Sequence, residues 1–192
     1  MNLVLVRHGL TGWNTEKRIQ GRTDRPLSAA GIDQISARRL PDELHQLHWV
    51  TSPLLRARQT AELLGIKDAV VEPVLTEMDW GDWEGEILKP LRRQLGDAMR
   101  NNEARGLDFC PPNGESPRQV QQRIKQWLLD IAPRKRDYGA VVHKGIIRCI
   151  YAMSSGWDMR GVMPVQLDWN RAHVFQFSAS GELDSTYRSI EL

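Results

Sequence analysis

The sequence has no long hydrophobic run, and this absence argues against a membrane-spanning protein. Among its 192 residues, no apolar stretch approaches the ~18 residues needed to cross a bilayer. The apolar segment at the N-terminus meets Arg7-His8 too early to be the core of a signal peptide. We therefore expect a cytoplasmic protein with no membrane partner.

A large excess of positive or negative charge is also absent. The formal net charge is +2, and Lys and Arg are dispersed rather than grouped in blocks. The sequence therefore lacks the electrostatic footprint of a nucleic-acid-binding protein. Cysteine is rarer still, since Cys110 and Cys149 allow one disulfide at most and match neither a zinc site nor a redox motif. We expect both thiols to be reduced and Cys149 to be buried and inert.

The order of the remaining patterns predicts an α/β protein. Apolar strands at residues 2–7, 49–51, 69–72 and 139–142 alternate with helices, and a hairpin over 173–187 follows them. This alternation is typical of a three-layer α/β/α sandwich with a mainly parallel central sheet. The length suits one domain, residues 1–192. The span 83–112 is interpreted as a small helical cap inserted over one end of the sheet.

Serine residues mark the expected helix starts. N-caps are predicted at Ser28, Ser52 and Ser116. The first of these helices should bury Ile32 and continue to about Pro41. Residues 86–105 are predicted to be helical throughout, whereas the segment between Gly9 and Pro26 looks too irregular for a helix.

Two histidines follow apolar strands directly, at His8 and His143. Ligands of open α/β sheets bind beyond the carboxyl ends of the strands, so neighbouring strands would bring the two imidazoles together across one cleft. Arg7 adjoins His8, and a further guanidinium comes from Arg56 or its rival Arg58, which periodicity alone does not separate. Guanidinium groups suit phosphate because they donate paired, charge-assisted hydrogen bonds. The pattern indicates an anion site, although the polar end of an edge strand would look similar in isolation.

One loop is crowded with carboxylates, namely Glu77, Asp79, Asp82, Glu84 and Glu86. Such a cluster fits a metal site, a source of acid–base catalysis, or a solvated loop. A metal site is disfavoured because the histidine pair His45 and His48 lies in another segment with no matching third ligand. Residue type and spacing alone do not indicate which of these acids would act in catalysis.

Together these motifs resemble the signature of the histidine phosphatase superfamily, branch 1, the group that includes cofactor-dependent phosphoglycerate mutase. The matching blocks follow the family's order over residues 3–150. They are Val6-Arg7-His8-Gly9-Leu10-Thr11, Trp13-Asn14, Gln20-Gly21, Pro26-Leu27-Ser28, Thr51-Ser52-Pro53-Leu54-Leu55-Arg56-Ala57-Arg58, Leu75-Thr76-Glu77-Met78-Asp79-Trp80-Gly81-Asp82-Trp83-Glu84-Gly85, Pro112-Asn113-Gly114-Glu115-Ser116 and Val142-His143-Lys144-Gly145.

The resemblance implies the phosphoglycerate mutase-like fold and a metal-independent hydrolase with no cofactor. It makes His8 the nucleophile that accepts the phosphoryl group, and Arg7, Arg56 and His143 the pocket that binds the phosphoryl oxygens. It selects Arg56 over Arg58, and it selects Glu77 as the proton donor to the leaving oxygen. The positions that it assigns to the phosphate or substrate end are Thr11, Asn14, Gln20 and Gly21.

Two departures from the family pattern fall at the expected rim of the pocket. Leu10 replaces the usual Glu or Gln. Lys144 replaces the usual glycine, and its side chain either binds a second anionic group of the substrate or points to solvent. Cations of the predicted cap are further candidates for substrate selection, although a solvated helix face suits most of them. They are Lys89, Arg92, Arg93, Arg100 and Arg105.

The expected partner is a small phosphorylated metabolite. Chain length and the Trp-Gly-Asp-Trp-Glu-Gly loop resemble the small phosphatases that act on α-ribazole 5′-phosphate, and sugar-phosphate and glycerate-phosphate members look similar. The alternatives are a mutase of the phosphoglycerate type and a non-catalytic phospho-ligand sensor. Either a monomer or a homodimer fits the sequence.

Overall fold

Strand β1, Asn2–Arg7, lies at the centre of the sheet because its inner residues are apolar on both faces. In the computed structural model, which describes residues 1–192, the side chains of Leu3 to Val6 are buried. β1 pairs in parallel with β4, Tyr138–Val142, and antiparallel with β5, Arg171–Phe177. A strand covered on both faces is expected where helices pack on each side of a sheet.

The sheet has six strands in the order β3-β2-β4-β1-β5-β6. Strands β2, His48–Thr51, and β3, Val70–Val71, continue the parallel part, and β6, Leu183–Glu191, closes the other edge as the second strand of a hairpin. The predicted α/β class with a mainly parallel sheet is confirmed. No helix combines the length and the hydropathy needed to cross a membrane.

Seven helices accompany the sheet. They are α1 Gly12–Thr15, α2 Ala29–Ser36, α3 Leu55–Leu63, α4 Leu88–Leu95, α5 Asp97–Glu103, α6 Pro117–Ile131 and α7 Lys144–Ser155. Leu3 and Leu5 of β1 join the core beneath α6 and α7, whereas Val4 and Val6 join the core beneath α2 and α3. The alternation of side chains along one strand therefore supplies two cores.

Capping explains where two of the predicted helices begin. The Ser116 hydroxyl accepts from the Gln119 N–H, the Gln119 side chain accepts from the Ser116 N–H, and Pro117 occupies the first turn of α6. Ser28 caps α2 by accepting from the Gly31 N–H at 3.1 Å. Both predicted N-caps are confirmed.

Three local predictions are wrong. Helix α2 ends at Ser36 and leaves Ile32 40% exposed, because the face that carries Gly31 and Ile35 is the one that meets the core. The segment after Gly9 contains the short helix α1, whose cap Thr11 exchanges hydrogen bonds with Asn14. The span 86–105 is two helices, because Gly96 adopts a left-handed φ of 51° between α4 and α5.

We expect Gly31→Ala to destabilise the protein by about 2–4 kcal/mol, because an added Cβ would lie only 2.0 Å from the Leu10 carbonyl oxygen. The clash is with backbone, so no side chain can move aside. Thermal or urea unfolding measures the loss. Gly12→Ala is the matched control, since the nearest atom there is the end of the Glu16 side chain at 3.8 Å. Equal stability of the two variants would contradict this account.

Candidate active site

His8 and His143 occupy equivalent places at the ends of two neighbouring strands. His8 follows β1 and His143 follows β4. The backbone N–H of His8 donates to the backbone carbonyl of Val142 at 3.0 Å. The two ring centroids lie 5.1 Å apart. The expectation that the imidazoles face one another is confirmed, and it depends on the parallel pairing of β1 with β4.

The hydrogen bond of His8 identifies its tautomer. Nδ1 lies 2.7 Å from the Gly9 carbonyl oxygen, which only accepts, so Nδ1 carries the proton and Nε2 keeps its lone pair. Burial, reinforced by the charges of Arg56 and Arg7, holds the pKa of His8 well below its ordinary value. At neutral pH the ring is therefore uncharged and Nε2 is available as a nucleophile.

His143 has the opposite tautomer. The Nε–H of Arg56 donates to its Nδ1 at 3.3 Å, so the proton lies on Nε2, which donates to Ser52 Oγ at 2.7 Å. Burial, followed by the charge of Arg56, lowers the pKa of His143 well below its ordinary value. This contact corrects the prediction that Ser52 caps a helix: α3 begins at Leu55 with no side-chain cap.

Arg56, rather than Arg58, reaches the histidines. Its side chain is fully buried, and its two Nη atoms donate to the carbonyl oxygens of Thr23 at 3.0 Å and Gly21 at 2.7 Å. Arg58 is exposed on the other side of α3. Burial lowers the pKa of Arg56, although nearby carboxylates oppose the shift, and the group remains a cation at neutral pH.

Gln20 links this arginine to Thr11. With the amide oriented so that both ends are satisfied, its nitrogen donates to Thr11 Oγ1 at 2.7 Å and its oxygen accepts from Arg56 Nη1 at 3.1 Å. Thr11 and Gly21 are themselves buried behind the cavity wall. The placement of these two residues corrects the expectation that they line the substrate end, and it gives them a supporting role for Asn14, Gln20 and Arg56.

Arg7 is held by an aromatic ring from a distant segment. Its guanidinium lies 5.6 Å from the centroid of Trp169, and its Nε is buried with no hydrogen-bond partner in the protein. Burial lowers its pKa, and the charge of Glu77 raises it. An unpartnered donor beside His8 is suited to an anionic oxygen.

Glu77 is the loop acid that lines the same cavity as His8. Its Oε1 accepts from the Met78 N–H at 2.8 Å and its Oε2 from the Gly145 N–H at 2.9 Å. Burial raises the pKa of Glu77 despite these two hydrogen bonds and the charges of Arg56 and Arg123. The structure therefore places a carboxyl group with an elevated pKa in the same cavity as the neutral His8.

The other acids of the loop are used elsewhere. Glu84 accepts hydrogen bonds from the N–H and hydroxyl of Thr23, Asp79 accepts from the Gly81 N–H, and Asp82 accepts from Asn113. Glu86 is exposed. Of the open interpretations of this cluster, acid–base catalysis fits Glu77 and a solvated position fits Glu86. Hydrogen bonding within the protein, which the sequence did not suggest, occupies the other three acids.

A cavity of about 570 Å³ lies over these groups. The predicted residues that line it are Arg7, His8, Asn14, Gln20, Glu77 and Lys144. Arg56 and His143 have no exposed surface and lie directly behind its floor. Leu10 does not line it, which corrects its assignment to the rim: its carbonyl accepts from Ser28 instead.

The sequence of the chain matches the family model of the histidine phosphatase superfamily (branch 1) over residues 3–183. The chain belongs to this superfamily.

Curated relatives of this chain carry the names of two activities. A probable phosphoglycerate mutase of Cronobacter sakazakii, GpmB, is 33% identical over 81% of this chain and 75% of its own length. The fructose-2,6-bisphosphatase TIGAR B of Danio rerio is 35% identical over 69% of this chain and 53% of its own length.

A solved structure shares the fold over nearly the whole chain. The phosphoglycerate mutase of Thermus thermophilus superposes with a TM-score of 0.69 at 34% identity, covering 91% of this chain and 92% of its own. The phosphoglycerate mutase-like fold implied by the sequence is confirmed.

The predicted cap contributes one cation to this cavity. Arg92 of α4 lines it and donates to Glu103 at 2.7 Å. The other candidates of the cap do not line the cavity. Trp80 and Phe109 form an apolar wall, with their ring centroids 5.7 Å apart.

Sequence reasoning did not find Arg148 and assigned no catalytic role to Trp169. Arg148 lines the cavity from α7, one helical turn beyond Lys144. Its i, i+4 spacing from Lys144 was visible in the sequence and could have drawn attention to it. Trp169 lies more than 160 residues from Arg7, and no local signal reports their contact.

Proposed function

We propose that this protein is a phosphatase that hydrolyses a small-molecule phosphomonoester through a phosphohistidine intermediate on His8. The observation that supports this most is the state of His8: a neutral ring whose Nδ1 proton is bound to Gly9 and whose free Nε2 faces a cavity. Cationic side chains beside and behind it favour a phosphoryl group there, and Glu77 supplies the acid.

In the first step, Nε2 of His8 forms a bond to phosphorus while the bond from phosphorus to the ester oxygen breaks. The leaving oxygen keeps the bonding electrons and takes the proton of Glu77. The imidazole becomes positively charged, and the Nδ1–H bond to the Gly9 carbonyl at 2.7 Å stabilises that charge. Arg7 donates to the phosphoryl oxygens through its unpartnered Nε, and the charge of Arg56 behind the cavity floor adds to the attraction.

In the second step, water attacks the phosphohistidine. The carboxylate of Glu77 takes the proton of the water, the bond from phosphorus to Nε2 breaks, and His8 returns to its neutral form. The proton lost by Glu77 in the first step is thereby restored. Bound phosphate adds negative charge next to His143, which offsets the positive charges of Arg56 and Arg7 at that ring.

A mutase that returns the phosphoryl group to a bound sugar acid is the second candidate, and the similarity to proteins named phosphoglycerate mutase favours it. We favour hydrolysis because a cavity of about 570 Å³ leaves room for water beside a three-carbon substrate.

Phosphorus NMR of reactions with 3-phosphoglycerate, with and without 2,3-bisphosphoglycerate, separates the candidates. We expect inorganic phosphate as the product in both cases. Rapid interconversion of 3- and 2-phosphoglycerate without phosphate release would establish the mutase instead. Parallel assays with p-nitrophenyl phosphate, α-ribazole 5′-phosphate and sugar phosphates test hydrolysis generally. If none of these compounds releases phosphate, the result would support the alternative of a non-catalytic phospho-ligand sensor.

A further inference from the structure

Two cations of α7 have no carboxylate partner. Lys144 and Arg148 stand four residues apart, roughly 6 Å along the helix axis. Like charges at this spacing repel each other, and Lys144 also stands in the first turn, where the positive end of the helix dipole disfavours a cation. Repulsion from Arg7 and Arg148 adds to burial in lowering the pKa of Lys144. These positions are electrostatically unfavourable unless an anion joins them.

The carboxylates around these cations are used by other groups. Glu77 accepts from two backbone N–H groups, and Glu103 pairs with Arg92 at 2.7 Å. Asp168, across the adjoining segment, accepts from the Asn170 N–H at 2.9 Å. The protein therefore leaves the charges of Lys144 and Arg148 without a dedicated counter-ion.

A second cavity of about 760 Å³ lies on the other side of these two residues. Its walls come from residues 162–170, and they include Met163, Leu167 and Trp169. Lys144 and Arg148 line both this cavity and the one over His8, so they stand at the boundary between the two. A ligand that extends from His8 into the second cavity passes them.

Aromatic rings orient both cations without using their hydrogen-bond donors. Lys144 Nζ lies 5.2 Å from the centroid of Trp169, and the guanidinium of Arg148 lies 5.4 Å from that of Trp157. A ring face attracts a cation and leaves N–H groups free for a stronger acceptor. This arrangement prepares Lys144 and Arg148 to receive an anion.

We propose that Lys144 and Arg148 form a subsite for a second anionic group of the substrate, a carboxylate or a second phosphate. The preferred substrates are then phosphomonoesters that carry another negative charge next to the ester bound at His8. This inference rests on the proposed function, since it takes His8 as the position of the transferred phosphoryl group.

Matched substrate pairs test the subsite. 3-Phosphoglycerate and glycerol 3-phosphate differ by a carboxylate, and fructose 1,6-bisphosphate and fructose 6-phosphate differ by a phosphate. For wild type, we expect kcat/KM to be higher for the more highly charged member of at least one pair. In K144Q and R148Q we expect the ratio within that pair to fall by roughly 10- to 100-fold, because a charge-assisted hydrogen bond is lost. Lys125→Gln, an exposed lysine of α6, should leave the ratio unchanged.

The outcomes distinguish this inference from the proposed function. A preference confined to one pair identifies the second group as carboxylate or phosphate, and its loss in K144Q and R148Q supports the subsite. Hydrolysis of p-nitrophenyl phosphate without preference in either pair overturns the subsite and leaves the phosphatase intact. If wild type hydrolyses nothing, the proposed function fails. In that case, calorimetric Kd values for the same pairs test the subsite by itself. Equal Kd values within each pair overturn the subsite, and a difference that K144Q abolishes supports it.

Discussion

His8→Ala is expected to lower kcat for p-nitrophenyl phosphate by about 10⁴-fold or more, because the chain offers no second nucleophile at this place. His143 is the nearest imidazole, with its centroid 5.1 Å away, but its nitrogens are bound to Arg56 and Ser52. The cation pocket persists in the variant and still binds phosphate. Binding without turnover is therefore the expected phenotype.

Chemical trapping makes this prediction specific. After brief reaction with a ³²P-labelled phosphomonoester and an alkaline quench, wild type should carry acid-labile phosphate and His8→Ala none. The matched control is His45→Ala, an exposed histidine outside the cavity, which should retain wild-type turnover and labelling. A folded His8→Ala variant, verified by thermal unfolding, that keeps more than a tenth of wild-type kcat would show that His8 is not the nucleophile.

The positions of His8 and His143 could be predicted because local signals determine them. Each follows an apolar strand, and the carboxyl ends of parallel strands meet at one edge of the sheet. The start of α6 was equally predictable, since a capping box and a proline are contained within four residues. Where the residues that determine a feature lie in one short segment, the sequence is sufficient to predict that feature.

Contacts between distant segments could not be predicted in the same way. Ser52-Pro53 has the form of a helix start, yet the Ser52 hydroxyl is used by His143, 91 residues away. Trp169 was visible only as an aromatic residue in polar surroundings, and its contact with Arg7 arises from the folding of the segment before β5. Tertiary contacts outweighed local propensity at both places.

Burial separated the alternatives that periodicity left open. Arg56 and Arg58 are equivalent candidates by their spacing in the sequence. In the structure their side chains point to opposite sides of α3, and only Arg56 contacts His143. Among the loop acids, Glu77 is buried and lines the cavity of His8, whereas Glu86 faces solvent. Family resemblance had selected the same two residues, and the structure supplies the physical reason.

Glu77→Gln is expected to lower kcat for glycerol 3-phosphate by about 10²- to 10⁴-fold, because an alkoxide is a poor leaving group unless it is protonated. The raised pKa of Glu77 keeps the carboxyl protonated to a higher pH than usual. Activity of wild type should therefore fall as pH rises through that pKa, and the variant should lose this alkaline limb. The lowered pKa of His8 confines the loss of its nucleophilic form to pH values below its ordinary 6.5.

p-Nitrophenyl phosphate gives the same variant a different phenotype. Its leaving group departs without a proton, so phosphorylation of His8 stays fast, whereas attack by water still needs the base. Stopped-flow traces of Glu77→Gln should therefore show a burst of about one p-nitrophenolate per chain, followed by slow turnover and accumulated phosphohistidine. Glu86→Gln makes the same change on an exposed residue of the loop and should show neither effect. A variant that keeps the alkaline limb and shows no burst would assign the proton transfers to a group other than Glu77.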